Sequence, residues 1–362
     1  MMKIQMKLNL QKIIMRVGDK MTKLLNLILL NKAFKEKGGG GISPSGTIEI
    51  TENGTYDVTN YAEADVNISQ TNNAYIITEI GTGSIVYYIE KLPNIDTSNV
   101  ILMSNFFKDC VSLLEIPMID TSSATNMSSC FNRCMKLETI PLINTSNVTN
   151  MSAMFNSCFN LKTIPLINTS NATDMSAMFY GCNKLEQIPL LNTSNCTNMS
   201  SIFRGCSILS QIPQLNTSNV ENLASAFQQS GITSIPLINT SNVTNISYAF
   251  ADCSSLTSIP LIDLAKATNV SYMFQNCSNL VDVPIFDISS VVTSQSIYYM
   301  FRNCNSLSDT SKNNIMQMCI NATNYTGTKT LKQLGFSSAQ ATTFENLSNY
   351  SDFVAAGWSK GY

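Results

Sequence analysis

Eleven cysteines are the residues of this chain best suited to chemistry. Eight of them, Cys110, Cys134, Cys158, Cys182, Cys206, Cys253, Cys277 and Cys304, recur at a nearly fixed spacing. Thiols so arranged suggest zinc ligation, disulfide cross-linking or nucleophilic attack. The chain has no CxxC pair and no histidine, which removes mixed zinc sites, Cys-His and Ser-His-Asp nucleophile activation, and histidine acid–base work. Residues in one slot of successive repeats form an inward-facing column, where a free thiol acts as a small hydrophobe. Disulfides between repeats are the second reading: equivalent Cα atoms about 4.8 Å apart are within reach, but side chains in register point in parallel. Cys130 and Cys196 stand where another repeat has Met154 and Val148, and Cys319 lies beyond the array.

Carboxylate chemistry fares no better. Asp96, Asp120, Asp263 and Asp287 share a slot with Asn144, Asn168, Asn192, Asn216 and Asn239, so a capping or turn role explains them. Gly38 to Gly41 precede a strand-like stretch and read as a hinge rather than a phosphate loop. The expectation is a protein that is not an enzyme, with no catalytic residue, no metal and no cofactor.

What positions the cysteines is a grid. Pro93, Pro117, Pro141, Pro165, Pro189, Pro213, Pro236, Pro260 and Pro284 step by 24 residues, except once by 23. Phe107, Phe131, Phe155, Phe179, Phe203, Phe227, Phe250, Phe274 and Phe301 follow the same grid, most of them three residues before a cysteine. Between Pro141 and Pro165, Val148, Met151, Phe155 and Cys158 are spaced as one face of a helix, with Asn144, Thr145 or Ser146 as its N-cap. Ile164 and Leu166 alternate as strand residues do. The spacing therefore predicts an α/β repeat solenoid of about 24 residues per coil, each holding one short strand and one short helix. A single coil buries too little to fold alone, so neighbours must cover both faces of its core. Proline has no N–H for the next coil, which limits the strands to about three or four residues. Two irregularities stand out as contact candidates: the coil ending at Pro236 lacks a residue and has Ser230 in the cysteine slot, and three extra residues lie between Pro284 and Phe301.

Charged residues make up only 13% of the chain, so the outer surface is rich in amides and hydroxyls. Residues 1–37 hold nine Lys or Arg against Asp19 and Glu36, leaving the rest acidic and disfavouring nucleic acid as a partner. Leu10, Ile14, Val17, Met21, Leu24 and Ile28 trace a heptad seam through residues 1–36. That segment reads as a basic docking or oligomerising helix, with a membrane-surface helix or a signal sequence as alternatives, and it is too short to span a bilayer. Residues 37–45 form a Gly-rich linker. Residues 46–70 read as a small β-module, with Ile48, Ile50, Tyr56 and Val58 alternating about Asn53-Gly54, a dipeptide suited to a tight hairpin. Residues 71–307 are the solenoid. Residues 308–362 form a helical cap whose apolar residues are Ile315, Met318, Leu331, Leu334, Phe336, Phe344, Leu347, Phe353 and Trp358; Trp358 and Tyr362 are alternatively ligand-binding aromatics.

The string from Thr145 to Cys158, TSNVTNMSAMFNSC, closely resembles the hallmark of BspA-like leucine-rich repeats in the branch first noted in mycoplasma surface lipoproteins, and the resemblance spans roughly residues 90–307. It implies a leucine-rich-repeat-like adhesive solenoid, extracellular or on a virion surface, without enzymatic activity of the repeat itself. The stretch GTIEITENGTYDV from Gly46 to Val58 resembles a β-module of phage tail and receptor-binding proteins.

Neither a cleavable signal, a lipobox cysteine nor a wall-sorting tail is evident, and a virion protein needs none of them. The leading expectation is accordingly a phage or prophage tail- or head-associated adhesin. Its residues 1–36 would dock to other virion proteins or to itself, and its repeats would face a bacterial surface glycan or protein. The alternative is a bacterial cell-surface or membrane-associated interaction solenoid with a protein partner.

Overall fold

The computed structural model describes residues 100–362 except 117 and 118, together with the backbone of four short strands before them. Those strands, β1 (Thr47–Glu49), β2 (Asn67–Ser69), β3 (Tyr75–Ile80) and β4 (Ser84–Ile89), form one sheet in the order β1-β2-β3-β4. β1 pairs in parallel with β2, Thr47 opposite Asn67, and the antiparallel pairs are β2-β3 and β3-β4. The tight hairpin expected at Asn53-Gly54 and the helix expected over residues 1–36 lie outside the described residues.

From Val100 onward the chain is a repeat solenoid. Its coils stack so that Asn126, Asn150, Asp174, Asn198, Asn222, Asn245 and Asn269 are linked in succession by parallel one-residue bridges. The helix and strand expected in each coil are absent, and hydrogen bonding explains why. The N–H groups of Met151, Ala153, Phe155 and Ser157 donate to carbonyls of the next coil, those of Asp174, Ser176, Met178 and Tyr180, at 2.6–2.9 Å. The intervening N–H groups of Met154, Asn156 and Cys158 close three-residue turns onto Met151, Ala153 and Phe155. A helix would direct every donor along its own axis. Left-handed residues at Ala153 (φ 52°) and Ser157 (φ 59°) break that direction once per turn and send alternate donors to the neighbour. The same two slots are left-handed in coil after coil, and Gly181 and Gly205 occupy the second of them without steric cost.

The proline side of the coil is held differently. Ile164, Ile167 and Thr169 face inward while Leu166 and Asn168 face solvent, so Leu166, expected to share a strand face with Ile164, turns the opposite way. Proline offers no donor, and the inter-coil link here is a side chain. Thr145 Oγ1 donates to the Asn168 carbonyl, Thr169 to Asn192 and Thr193 to Asn216, at 2.7–2.8 Å. These threonines are buried, and each satisfies a carbonyl that a strand partner would otherwise satisfy.

Helices occur where the period is lost: α1 (Ser294–Ile297), α2 (Asp309–Asn321), α3 (Ser338–Thr342) and α4 (Tyr350–Ala355). Ser308 caps α2 by accepting from the Ser311 N–H, and Ser337 with Gln340 forms a reciprocal capping box on α3. The segment that follows α2 closes the stack by imitating a coil. The Tyr299 and Phe301 N–H groups donate to the Gln333 and Leu334 carbonyls, and Phe336 stacks on Phe301 at 6.1 Å. Ile315, Met318, Leu331, Leu334, Phe336, Phe344, Phe353 and Trp358 are buried, covering an end that would otherwise expose core.

Candidate functional site

The cysteine column lies inside. Cys110, Cys134, Cys158, Cys182, Cys206, Cys253, Cys277 and Cys304 are buried, and all eleven cysteines are free thiols. Beside them runs the phenylalanine column, Phe107, Phe131, Phe155, Phe179, Phe203, Phe227, Phe250, Phe274 and Phe301, likewise buried. Its rings stack coil on coil, with centroids 5.3–5.8 Å apart.

The two columns are bonded to each other. The Phe131 carbonyl accepts the Cys134 N–H from its own coil and the Cys158 thiol from the next, each at 3.1 Å. The same thiol-to-carbonyl bond recurs from Cys134 to Phe107, Cys182 to Phe155, Cys206 to Phe179, Cys277 to Phe250 and Cys304 to Phe274. A cysteine in this slot therefore fills the core and satisfies the carbonyl's second lone pair, which valine could not do. Ser230, the exception, places its hydroxyl 3.5 Å from Cys253 Sγ.

Burial makes these thiols poor nucleophiles. It pushes Cys158 and Cys304 up to about 12 and Cys196 and Cys253 up to about 11, and the remaining cysteines are also raised. Among the described residues no three His, Cys, Asp or Glu side chains converge as a metal site. Asp120 and Asp263 each accept an N–H from two residues on, the turn role read from their slot. Trp358, considered as a ligand-binding aromatic, is buried against Tyr325 and Phe353. Tyr362 is exposed, but its hydroxyl donates to the Phe336 carbonyl and Lys332 sits over its ring.

Three surface features remain. The first is a column of leucines one residue after five of the nine grid prolines: Leu142, Leu166, Leu190, Leu237 and Leu261 are 61–73% exposed. In sequence, Leu166 stands two residues from Ile164, a strand spacing that puts both on one face; the structure instead turns Leu166 outward between the buried Ile164 and Ile167. The second is a tyrosine ladder, Tyr248, Tyr272 and Tyr299. Tyr248 and Tyr272 stack at 4.4 Å and Arg302 covers the Tyr299 ring at 4.8 Å, so much of their π surface is already engaged.

The third feature lies at the shortened coil. The missing residue falls beside Gly231, where the turn draws against the preceding coil and the Gly231 N–H bonds to the Cys206 carbonyl. On the proline side of the same coil, the Thr217 hydroxyl is buried without a partner, whereas its equivalents in the neighbouring coils, Thr193 and Thr240, both donate across the step. Gln214 replaces the column leucine and donates to the Leu237 carbonyl. A pocket of about 480 Å³ opens here, lined by both coils and by Leu261 and Asp263 of the one beyond. The three-residue insertion before Phe301, the other irregularity, folds locally as α1.

Among the described residues no helix is long and apolar enough to cross a membrane. No curated protein matches the chain. A solved internalin from Listeria monocytogenes is 15% identical over 62% of this chain and 69% of its own, with a TM-score of 0.26, too low to argue from. A family profile described as "Mycoplasma protein of unknown function, DUF285" matches residues 82–190, 157–232 and 197–315. Those three overlapping matches run through the stacked coils and cover more than half of the sequence, so the chain belongs to this family.

Proposed function

We propose that the chain is a non-enzymatic interaction solenoid, carried at a bacterial cell surface, that adheres to a protein partner through its leucine column. The observation that supports this reading is the exposure of Leu142, Leu166, Leu190, Leu237 and Leu261 in one line along the coils. Exposed apolar side chains grouped in this way mark interaction surfaces. The columns that could carry chemistry are turned inward and bonded to each other, while the outward slots repeat leucine, asparagine and threonine. Membership in a family described from mycoplasma, together with the surface-lipoprotein resemblance of the repeat, favours the bacterial reading. The family match adds nothing to the virion reading.

The double variant Leu166→Asp, Leu190→Asp tests the column. Both side chains already face water, so its melting temperature stays close to that of the parent. Its retention on beads coated with serum proteins falls by about tenfold or more, as expected for placing two unpaired charges in an apolar contact. Mannan-coated beads retain neither protein. Equal retention of parent and variant on the protein-coated beads would end the leucine-column reading.

A further inference from the structure

The regular coils use one donor and one acceptor per step on the proline side: a threonine hydroxyl and the carbonyl at the asparagine slot of the next coil. At the step that spans the shortened coil the threonine is present but the pair is not made. Thr217, only 3% exposed, keeps its hydroxyl unbonded, and the Asn239 carbonyl across the step does not receive it. Both residues line the pocket, alongside the exposed side chains of Leu237 and Leu261. A buried hydroxyl without a partner is costly, and native proteins keep such groups where something else completes them.

We infer that this pocket is a binding site for an extended peptide segment with an aliphatic side chain. One peptide amide supplies the acceptor that the Thr217 hydroxyl lacks, and a neighbouring N–H supplies a donor for the Asn239 carbonyl. The aliphatic side chain lies on Leu237 and Leu261. No aromatic ring lines the pocket, and its apolar walls are leucine and isoleucine, which suits an aliphatic peptide better than a sugar. The site continues the leucine column at the coil where Gln214 interrupts it. The inference rests on the protein-interaction reading and gives it a specific anchor.

The test uses the full chain with ¹³C-labelled leucine and isoleucine methyl groups, titrated with N-acetyl-Ala-Leu-Ala-amide. Saturable shifts are expected at Leu215, Leu237, Ile238 and Leu261, and none at Leu142. Thr217→Val removes only an unbonded hydroxyl, so it melts no lower than the parent while the peptide binds about fivefold more weakly. Thr193→Val, which loses the bond to Asn216, melts lower and keeps the affinity. The inference is overturned if the peptide gives no saturable shift, if Thr217→Val binds it as tightly as the parent, or if N-acetylglucosamine moves these methyl groups and the peptide does not. Loss of the pocket signal with retention on protein-coated beads intact would sink the pocket alone. The reverse result would sink the leucine-column reading alone.

Discussion

Gly231→Ala will lower the melting temperature by roughly 10 °C, corresponding to about 3 kcal/mol, although it adds one methyl group at a loop. A Cβ at this position would stand 3.0 Å from the Ser207 carbonyl carbon, closer still to its oxygen, and 3.3 Å from Ile208 Cα. All three neighbours are backbone, so no side chain can swing away. The contact exists because the coil is a residue short: Ile232 must reach the core slot that Leu209 fills in the coil before, with one link fewer. Gly181→Ala is the matching control. Its added Cβ meets nothing nearer than 3.5 Å, and its cost is the left-handed φ of 72° alone, about 1–2 kcal/mol. Thermal melting of the two variants checks this, and equal losses would show that the shortened coil is not pressed against its neighbour.

The second large effect is alkaline unfolding. A thiol buried in the folded coil holds its proton to about 11 or 12 at Cys196, Cys253, Cys158 and Cys304, whereas an unfolded thiol releases it near 9.0. Because the folded values are raised, the thiols' contribution is fully present below pH 9 and is lost as pH rises, with the unfolded state shedding protons that the folded state keeps. At pH 10 each such thiol costs on the order of 1 kcal/mol of stability. Eleven together are comparable with the roughly 5–15 kcal/mol that holds an ordinary domain. Urea unfolding at pH 7, 8, 9 and 10 should therefore show a level midpoint up to pH 8 and a collapse by pH 10. A midpoint as high at pH 10 as at pH 7 would contradict the burial of the column.

The placement of side chains was legible in the sequence because burial is periodic. The grid of Phe155, Cys158 and Leu161 and their equivalents locates the core without reference to backbone shape. The backbone was misread for a definite reason. Val148, Met151, Phe155 and Cys158 are spaced as a helix would space them, and nothing in Ala153 or Ser157 announces a left-handed φ. Only Gly181 and Gly205, in the same slot as Ser157, carry a sequence signal of a left-handed φ. The donors that a helix would keep are taken by the next coil, a choice that depends on neighbours rather than on local propensity.

The candidate site was less legible still. The deletion before Pro236 and the serine at position 230 were visible as irregularities, but the unbonded hydroxyl lies on the other side of the same coil, at Thr217. A hydroxyl left without its partner is a three-dimensional fact. The leucine column was hidden by its own repetition, since a leucine recurring at the period of the grid reads first as core.

The central claim is that phenylalanine and cysteine columns close the interior of the stacked coils. Counting reactive thiols tests it most directly, with Ellman's reagent added to the full chain at neutral pH, first native and then in guanidinium, and no reductant at any stage. The account predicts no reaction on the folded protein and eleven thiols after unfolding. Rapid labelling of several cysteines in the native state, or fewer than eleven in guanidinium, would contradict it.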